Sequence, residues 1–218
     1  MLRTLEQAGF PRHKLVCIPS FYPVGPLPGA GERDNYLLYF GRLSRVKGLA
    51  TLLRAHSELN HDTRLLLAGD DTQGYRAELE RLADELGSAD RVEFVGMKDR
   101  AELNALISRA TAVVVPSEWP DNCPMSVFEA FALGTPVVAS NIGGIPEQVR
   151  DGCGLLFEPG SVGELGQALQ RMCTDRELRD RVRDRAFVRL RRELSPGTHT
   201  GQLLGNFQQL CRGGGTRG

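Results

Sequence analysis

The chain has 218 residues, enough to bury a substantial core as one large domain but tight for two. Lys plus Arg equals Asp plus Glu at 27 each, which argues against a nucleic-acid binder and leaves any anion site to local charge. No apolar run approaches the roughly 20 residues that span a bilayer, and the start M-L-R-T-L-E-Q-A-G-F-P lacks the apolar middle of a signal peptide, so a soluble cytoplasmic protein is expected. The cysteines, Cys17, Cys123, Cys153, Cys173 and Cys211, are scattered without a C-x-x-C pair and read as reduced thiols. The histidines, His13, His56, His61 and His199, have no metal-ligand spacing, and no metal site is expected.

In chain order, Leu2 to Ala8 has the pattern of a helix end stopped by Gly9 and Pro11, and Leu15 to Ile18 is a strand candidate. Residues 21–35, rich in proline and glycine, carry neither ladder nor helix and read as an interdomain linker. From Tyr36 short apolar strands alternate with amphipathic helices: Tyr36–Phe40, Leu49–Leu59, Arg64–Ala68, Tyr75–Leu86, Val92–Val95 and Ala101–Ser108. The alternation continues through Ala112–Val115, Met125–Leu133, Pro136–Ser140, a turn of helix at Pro146–Arg150, and Gly154–Phe157. The runs L-L-L-A, A-V-V-V and P-V-V-A are continuously apolar, as parallel strands covered on both faces must be. The expected fold class is α/β, with a doubly wound parallel sheet.

Helices then follow at Ser161–Cys173, Arg176–Arg192 and about Pro196–Cys211, and the glycine-rich tail is expected to be disordered. In the second of these, Arg176, Arg179, Arg181, Arg183, Arg185, Arg189, Arg191 and Arg192 are interleaved with Glu177, Asp180, Asp184 and Glu193. That pattern reads as a solvated face with local ion pairs; peripheral contact with an anionic membrane is the alternative.

Three segments carry the chemistry. The strand Tyr36–Phe40 runs into G-R-L-S-R-V-K-G, where Gly41 permits close backbone approach and Arg42 and Lys47 precede a helix start. Two cations there suit a diphosphate, although a basic surface loop would look the same, and the segment matches neither a Walker loop nor G-x-G-x-x-G. The next strands end in A-G-D-D and F-V-G-M-K, where Gly69 leaves room for a ligand and the backbone at Met97 and Lys98 could meet a planar base.

The third segment, P-S-E-W-P-D-N-C-P-M-S-V-F-E-A-F-A-L-G-T-P, passes from strand to loop to helix. Asp121 in the loop and Glu129 on the helix stand eight residues apart and can face one crevice from different heights. A carboxylate at Glu129 is expensive to bury unless paired, and the vicinal hydroxyls of a ribose would offer it two donors; a helix acid bonded to a neighbouring loop is the alternative. The amides of Met125 and Ser126 could bind phosphate oxygens, whereas Pro124 has none. Trp119 reads as a loop anchor ahead of a sugar platform, and Glu118 as an ordinary loop acid. The loop N-I-G-G-I-P-E, with Glu147 at its end, is either a backbone nest for an anion or a tight structural connection.

Taken together, G-R-L-S-R-V-K-G, L-L-L-A-G, F-V-G, P-S-E-W, E-A-F-A-L-G-T-P-V-V-A-S and G-G-I-P-E resemble, in order and spacing, the C-terminal donor-binding domain of the retaining GT-B glycosyltransferases of glycosyltransferase family 4. The resemblance covers about residues 36–173. It implies a Rossmann-like domain at 36–194, preceded by a remnant of the N-terminal domain at 1–20 and the linker at 21–35, and followed by a crossover helix and tail at 195–218. It further implies a nucleoside-diphosphate sugar as donor, no other cofactor, and a glycan or lipid-linked acceptor held by the N-terminal domain, which is largely missing. By the same resemblance Arg42 and Lys47 bind the donor diphosphate and Glu129 the ribose. The family places Glu where this chain has Asp121, one methylene shorter, which alters the reach of the acid that contacts the transferred sugar.

Overall fold

The computed structural model describes residues 2–26, 33–59 and 62–213. A six-stranded, all-parallel sheet forms its centre: β1 (Tyr36–Phe40), β2 (Arg64–Ala68), β3 (Val92–Gly96), β4 (Ala112–Val115), β5 (Val137–Ser140) and β6 (Leu155–Phe157), in the spatial order β3-β2-β1-β4-β5-β6. Helices connect the strands: α2 (Leu49–Ser57), α3 (Arg76–Glu85), α4 (Arg100–Arg109), α5 (Met125–Ala132) and α6 (Ile145–Val149), following α1 (Leu2–Gln7) near the start of the chain. The chain then runs through α7 (Val162–Thr174), α8 (Arg176–Glu193) and α9 (Pro196–Gly213). The doubly wound parallel sheet is therefore as expected, and element boundaries from Tyr36 to Glu193 agree to within a residue or two.

Alternation along each strand divides the core in two. Leu37, Tyr39, Leu65, Leu67 and Val114 point to one face, where Leu49, Leu52 and Leu53 of α2, Leu79 of α3 and Leu165 and Leu169 of α7 cover them. Tyr36, Leu38, Leu66, Val113 and Val115 point to the other, against Ile107 of α4, Phe128 and Phe131 of α5, and Ala186 and Leu190 of α8. Period-two patterning with both faces apolar is why these strands read as unbroken hydrophobic runs. Each fully buried leucine contributes about 1.5–3 kcal/mol, so the sheet is a rigid platform for the loops at its ends.

The order of strands fixes where a ligand can sit. Crossovers wind outward from β1 to β3 and, in the opposite sense, from β4 to β6, so the connections leaving β1 and β4 part at the carboxyl edge and open a crevice. The loops 41–48 and 116–124 border it.

The periphery departs from the sequence reading near both ends of the described residues. Leu15–Ile18 forms no strand, because the six strands pair only among themselves and Val16 is 63% exposed. Where it is described, the segment 21–35 packs on the domain: the Tyr22 amide donates to the Leu194 carbonyl at 3.0 Å, and Tyr22 and Val24 pack on the second core cluster. Its last residues are also tied down. The Arg33 guanidinium donates to the carbonyls of Ser108, Ala110 and Gly134 and to Thr135 Oγ1, closing the ends of α4 and α5. Burial, and secondarily Arg183 and Arg179 nearby, lower its pKa to about 10, so it stays charged at neutral pH. Finally, α9 extends to Gly213, past the expected end of order; residues 214–218 of the tail lie outside the described residues.

The arginine-rich α8 carries the interleaved pairs Arg176–Asp180, Arg181–Glu177, Arg183–Asp180 and Arg189–Glu193. Arg189 is not part of a solvated face, however. It is only 8% exposed and donates to the carbonyls of Gln148 and Glu147 at the end of α6. Among the described residues no helix is long and apolar enough to cross a membrane.

Candidate functional site

The loop after β1 is held open by its own backbone. The buried Tyr39 hydroxyl donates to the Arg42 carbonyl at 2.6 Å, and the Leu43 amide donates to the Asp70 carbonyl at 2.8 Å. Burial, with Asp121 as the next cause, pushes the Tyr39 phenol well above its usual range, so it remains a neutral donor. These bonds leave the Arg42 side chain exposed, with no hydrogen bond or ion pair of its own among the described residues. Arg45–Lys47 then make a single 3-10 turn closed by Gly48 at φ 68°, and α2 starts there without a side-chain cap.

Gly48 is where the two crevice loops meet. A Cβ at that position would stand 1.9 Å from the Pro116 carbonyl oxygen, so only glycine lets the β4 loop approach. The same contact is reinforced by the Glu118 amide, which donates to the Val46 carbonyl at 2.9 Å, and by Thr51 Oγ1, which donates to Glu118 Oε1 at 2.6 Å. Glu118 is thus a connector between loops rather than a plain surface acid.

Across this junction Lys47 Nζ lies 2.7 Å from Asp121 Oδ2, and both side chains are 21% exposed. Ser117 Oγ, on a residue that is 1% exposed, stands 2.9 Å from the same Asp121 oxygen. One hydroxyl proton serves one acceptor at a time, and the charged oxygen is the better one. The Asp121 carbonyl accepts from the Gly144 amide at 2.8 Å, while a Cβ on Gly144 would fall 1.8 Å from the Asn122 carbonyl oxygen. The paired glycines at 143 and 144 therefore lie tight against the Asp121 loop, and the Gly144 amide is already used.

Trp119 is 59% exposed, so it does not anchor the loop; Ser117, Glu118 and Gly48 do. Gly69 likewise serves the backbone: a Cβ there would stand 1.8 Å from the Gly41 carbonyl oxygen, so the space is filled by the neighbouring loop. Beside the Asp121 loop lies a cavity of about 550 Å³, bordered by Cys17, Ser20, Asn122, Cys123, Glu147 and Gln148.

The second acid sits deeper. α5 starts behind Pro124 with no side-chain cap, which leaves its first amides, at Met125 and Ser126, facing the crevice end of the helix. One turn on, Glu129 is buried at 9% exposure, and its Oε1 accepts from Arg100 at 2.9 Å. Arg100 is the first residue of α4, directly after the loop that carries Met97, itself 73% exposed. Tyr22, from the segment ahead of β1, faces the same pair. Burial, with Glu129 as the next cause, raises its phenol pKa. Arg100, Ser117 and Tyr22 are the site residues that sequence reasoning missed. A buried acid demands a partner, which was the available signal for Arg100, but its identity depends on which loop the fold brings across.

Chemically, the crevice offers an exposed guanidinium at Arg42, an ammonium at Lys47, uncapped amides at α5 and two carboxylates at different depths. Among the described residues no group of three or more His, Cys, Asp or Glu side chains could hold a metal ion.

A family model described as glycosyl transferases group 1 matches residues 28–189, most of the chain and more than the stretch that carried the sequence resemblance. The chain belongs to the group 1 glycosyltransferase family. Its relatives include the D-inositol 3-phosphate glycosyltransferase of Thermobifida fusca, 38% identical over 165 residues that cover 71% of this chain and 38% of that protein. The alpha-D-kanosaminyltransferase of Streptomyces kanamyceticus is 28% identical over 178 residues, 80% of this chain and 45% of that protein. Among solved structures, sucrose-phosphate synthase from Thermosynechococcus elongatus superposes with a TM-score of 0.74 at 31% identity, covering 90% of this chain and 52% of that one. HepE of Anabaena in complex with UDP and glucose gives 0.74 at 26% identity, covering 81% and 49%. The fold is that of the Rossmann-like GT-B glycosyltransferase domains. The chain spans less than half the length of these curated relatives and about half that of the solved chains.

Proposed function

We propose that this group 1 domain binds the donor of a glycosyltransferase that moves a sugar from a nucleoside diphosphate to an acceptor with retention, as a family 4 enzyme. The single observation that carries the reading is the Lys47–Asp121 contact, which joins the two loops of the topological switch point around a cation placed for an anion. The donor diphosphate lies against Arg42, Lys47 and the amides of Met125 and Ser126. These groups stabilise the negative charge that grows as the sugar–phosphate bond breaks, without a metal. The three protons of Lys47 allow it to keep Asp121 while it contacts a phosphate oxygen, and Asp121 Oδ1 is left to orient a sugar hydroxyl. Glu129 receives the ribose, and the base lies along the backbone at Gly41 and Met97, with Gly69 serving to let the Gly41 loop approach. HepE in complex with UDP and glucose supports a nucleotide-sugar donor.

The acceptor, a glycan or lipid-linked molecule, is held by the second half of a two-domain enzyme, working in the cytoplasm. Peripheral membrane contact through α8 is the weaker expectation, because Arg176, Arg181, Arg183 and Arg189 are ion-paired within the helix. A second reading is a nucleotide-sugar binding module that is inactive without a partner acceptor domain. Calorimetric titration with UDP, GDP and ADP tests the donor site. One of them should bind, and Arg42→Ala with Lys47→Ala should weaken it by about a hundredfold, the loss of two charge-assisted contacts. Binding unaffected by the double substitution refutes the reading. Glycosyl transfer on adding an acceptor half would then separate an enzyme from a module.

A further inference from the structure

We infer that Arg100 is a positioning residue for the ribose: it holds Glu129 as an oriented carboxylate with one oxygen reserved for the sugar hydroxyls, and so sets the preference for ribonucleotides over deoxyribonucleotides. The inference rests on the donor-site reading above. Three observations support it independently of the family.

The first is the asymmetry of the pair. The Glu129 side chain is 12% exposed, whereas that of Arg100 is 63% exposed. A buried carboxylate without a partner is costly, while an exposed guanidinium is well solvated alone, so the acid depends on the cation far more than the reverse.

The second is the position of Arg100 on its helix. It is the first residue of α4, where the helix dipole and the free amides disfavour positive charge. The local sequence supplies no reason for an arginine there, since Asp99 and Glu102 already complete a capping box. That box does serve the pair. It fixes the start of α4, so the guanidinium is delivered from a rigid point.

The third is what the contact leaves open. Arg100 Nη1 takes Glu129 Oε1 alone, and Oε2 has no hydrogen bond or ion pair among the described residues. An ionised carboxylate oxygen is acceptor-only and pairs with hydroxyl donors, which vicinal ribose hydroxyls supply. The Glu129 contact in turn raises the Arg100 pKa, consistent with mutual orientation of the two charges.

The test uses the full chain and calorimetry, with whichever of UDP, GDP and ADP binds tightest and its 2′-deoxy counterpart. Wild type should prefer the ribonucleotide by about tenfold, the worth of one hydrogen bond to a charged group. Arg100→Ala should bring the ribonucleotide down to the affinity of the deoxynucleotide while changing the latter less than twofold, and Arg100→Lys should restore most of the preference. Loss of affinity for both ligands alike would mean a structural role only, and an unchanged preference would mean no role; either result overturns the inference and leaves the donor site standing. Failure of wild type to bind any of the three diphosphates would instead remove the donor site itself.

Discussion

The two acids of the crevice make the instructive comparison. Asp121 and Glu129 each pair with one cation from a different loop, yet the pairs are built in opposite ways. Lys47 and Asp121 are equally half-buried at 21%, and Ser117 Oγ holds the same acid oxygen at 2.9 Å. The pair is a joint between two loops already pressed together at Gly48, and both partners lose if it breaks. Arg100 and Glu129 instead join an exposed cation to a buried acid on separate helices. Removing the acid there releases a guanidinium that water solvates at once. Burial of an acid is thus a poor guide to what it holds together; the burial of its partner matters as much.

The largest expected effect comes from destroying the joint beneath the first pair. Gly48→Ala puts a Cβ 1.9 Å from the Pro116 carbonyl oxygen in a left-handed conformation, and should cost about 3–5 kcal/mol in chemical denaturation through strain and overpacking. A variant that unfolds like wild type would show the two loops to be independent.

Next is the direct contrast of the acids. Asp121→Ala leaves the half-buried Lys47 without its carboxylate, while Ser117 Oγ can turn to the Trp119 carbonyl at 3.1 Å; the substitution should cost about 1–3 kcal/mol. Glu129→Gln keeps the volume and removes a buried charge whose partner is exposed, so its effect on stability should lie within about 1 kcal/mol of zero. Thermal melts of the two variants under identical conditions decide it, and the reverse order would refute the comparison.

The smallest effect concerns a group far from either pair. His56 is fully buried, bonds the Thr63 carbonyl through Nε2 at 2.7 Å, and has its pKa lowered below 6.5, chiefly by burial. The folded state therefore binds fewer protons than the unfolded state below pH 6.5. Stability from this group is fully present above that pH and falls as the solution is acidified. Denaturation midpoints measured from pH 7.5 to 5 should decline, and His56→Gln should flatten the decline; parallel slopes would assign it to other groups.

Much of the architecture was legible in the chain. Continuous apolar runs such as A-V-V-V at 112–115 announce strands covered on both faces, and the stripe Leu79, Leu82 and Ala83 announces the helix that covers them. Local patterns fail where an outcome depends on a distant neighbour. Trp119 has the composition of an anchor but finds no surface to cover, and the glycines at 143 and 144 have the composition of an anion nest but meet the Asp121 loop. Leu15–Ile18 has strand composition but pairs with none of the six strands.

By itself, then, the sequence determined the order of strands and helices, the placement of cations and acids at strand ends, and the family, because all of these follow from short-range periodicity and ordered motifs. Only the tertiary structure decided the partners. Lys47 meets Asp121 across 74 residues because β1 and β4 are neighbours in the sheet, and Arg100 reaches Glu129 across 29 because α4 and α5 cover the same face. Such contacts depend on strand order, a non-local property that no window of sequence contains.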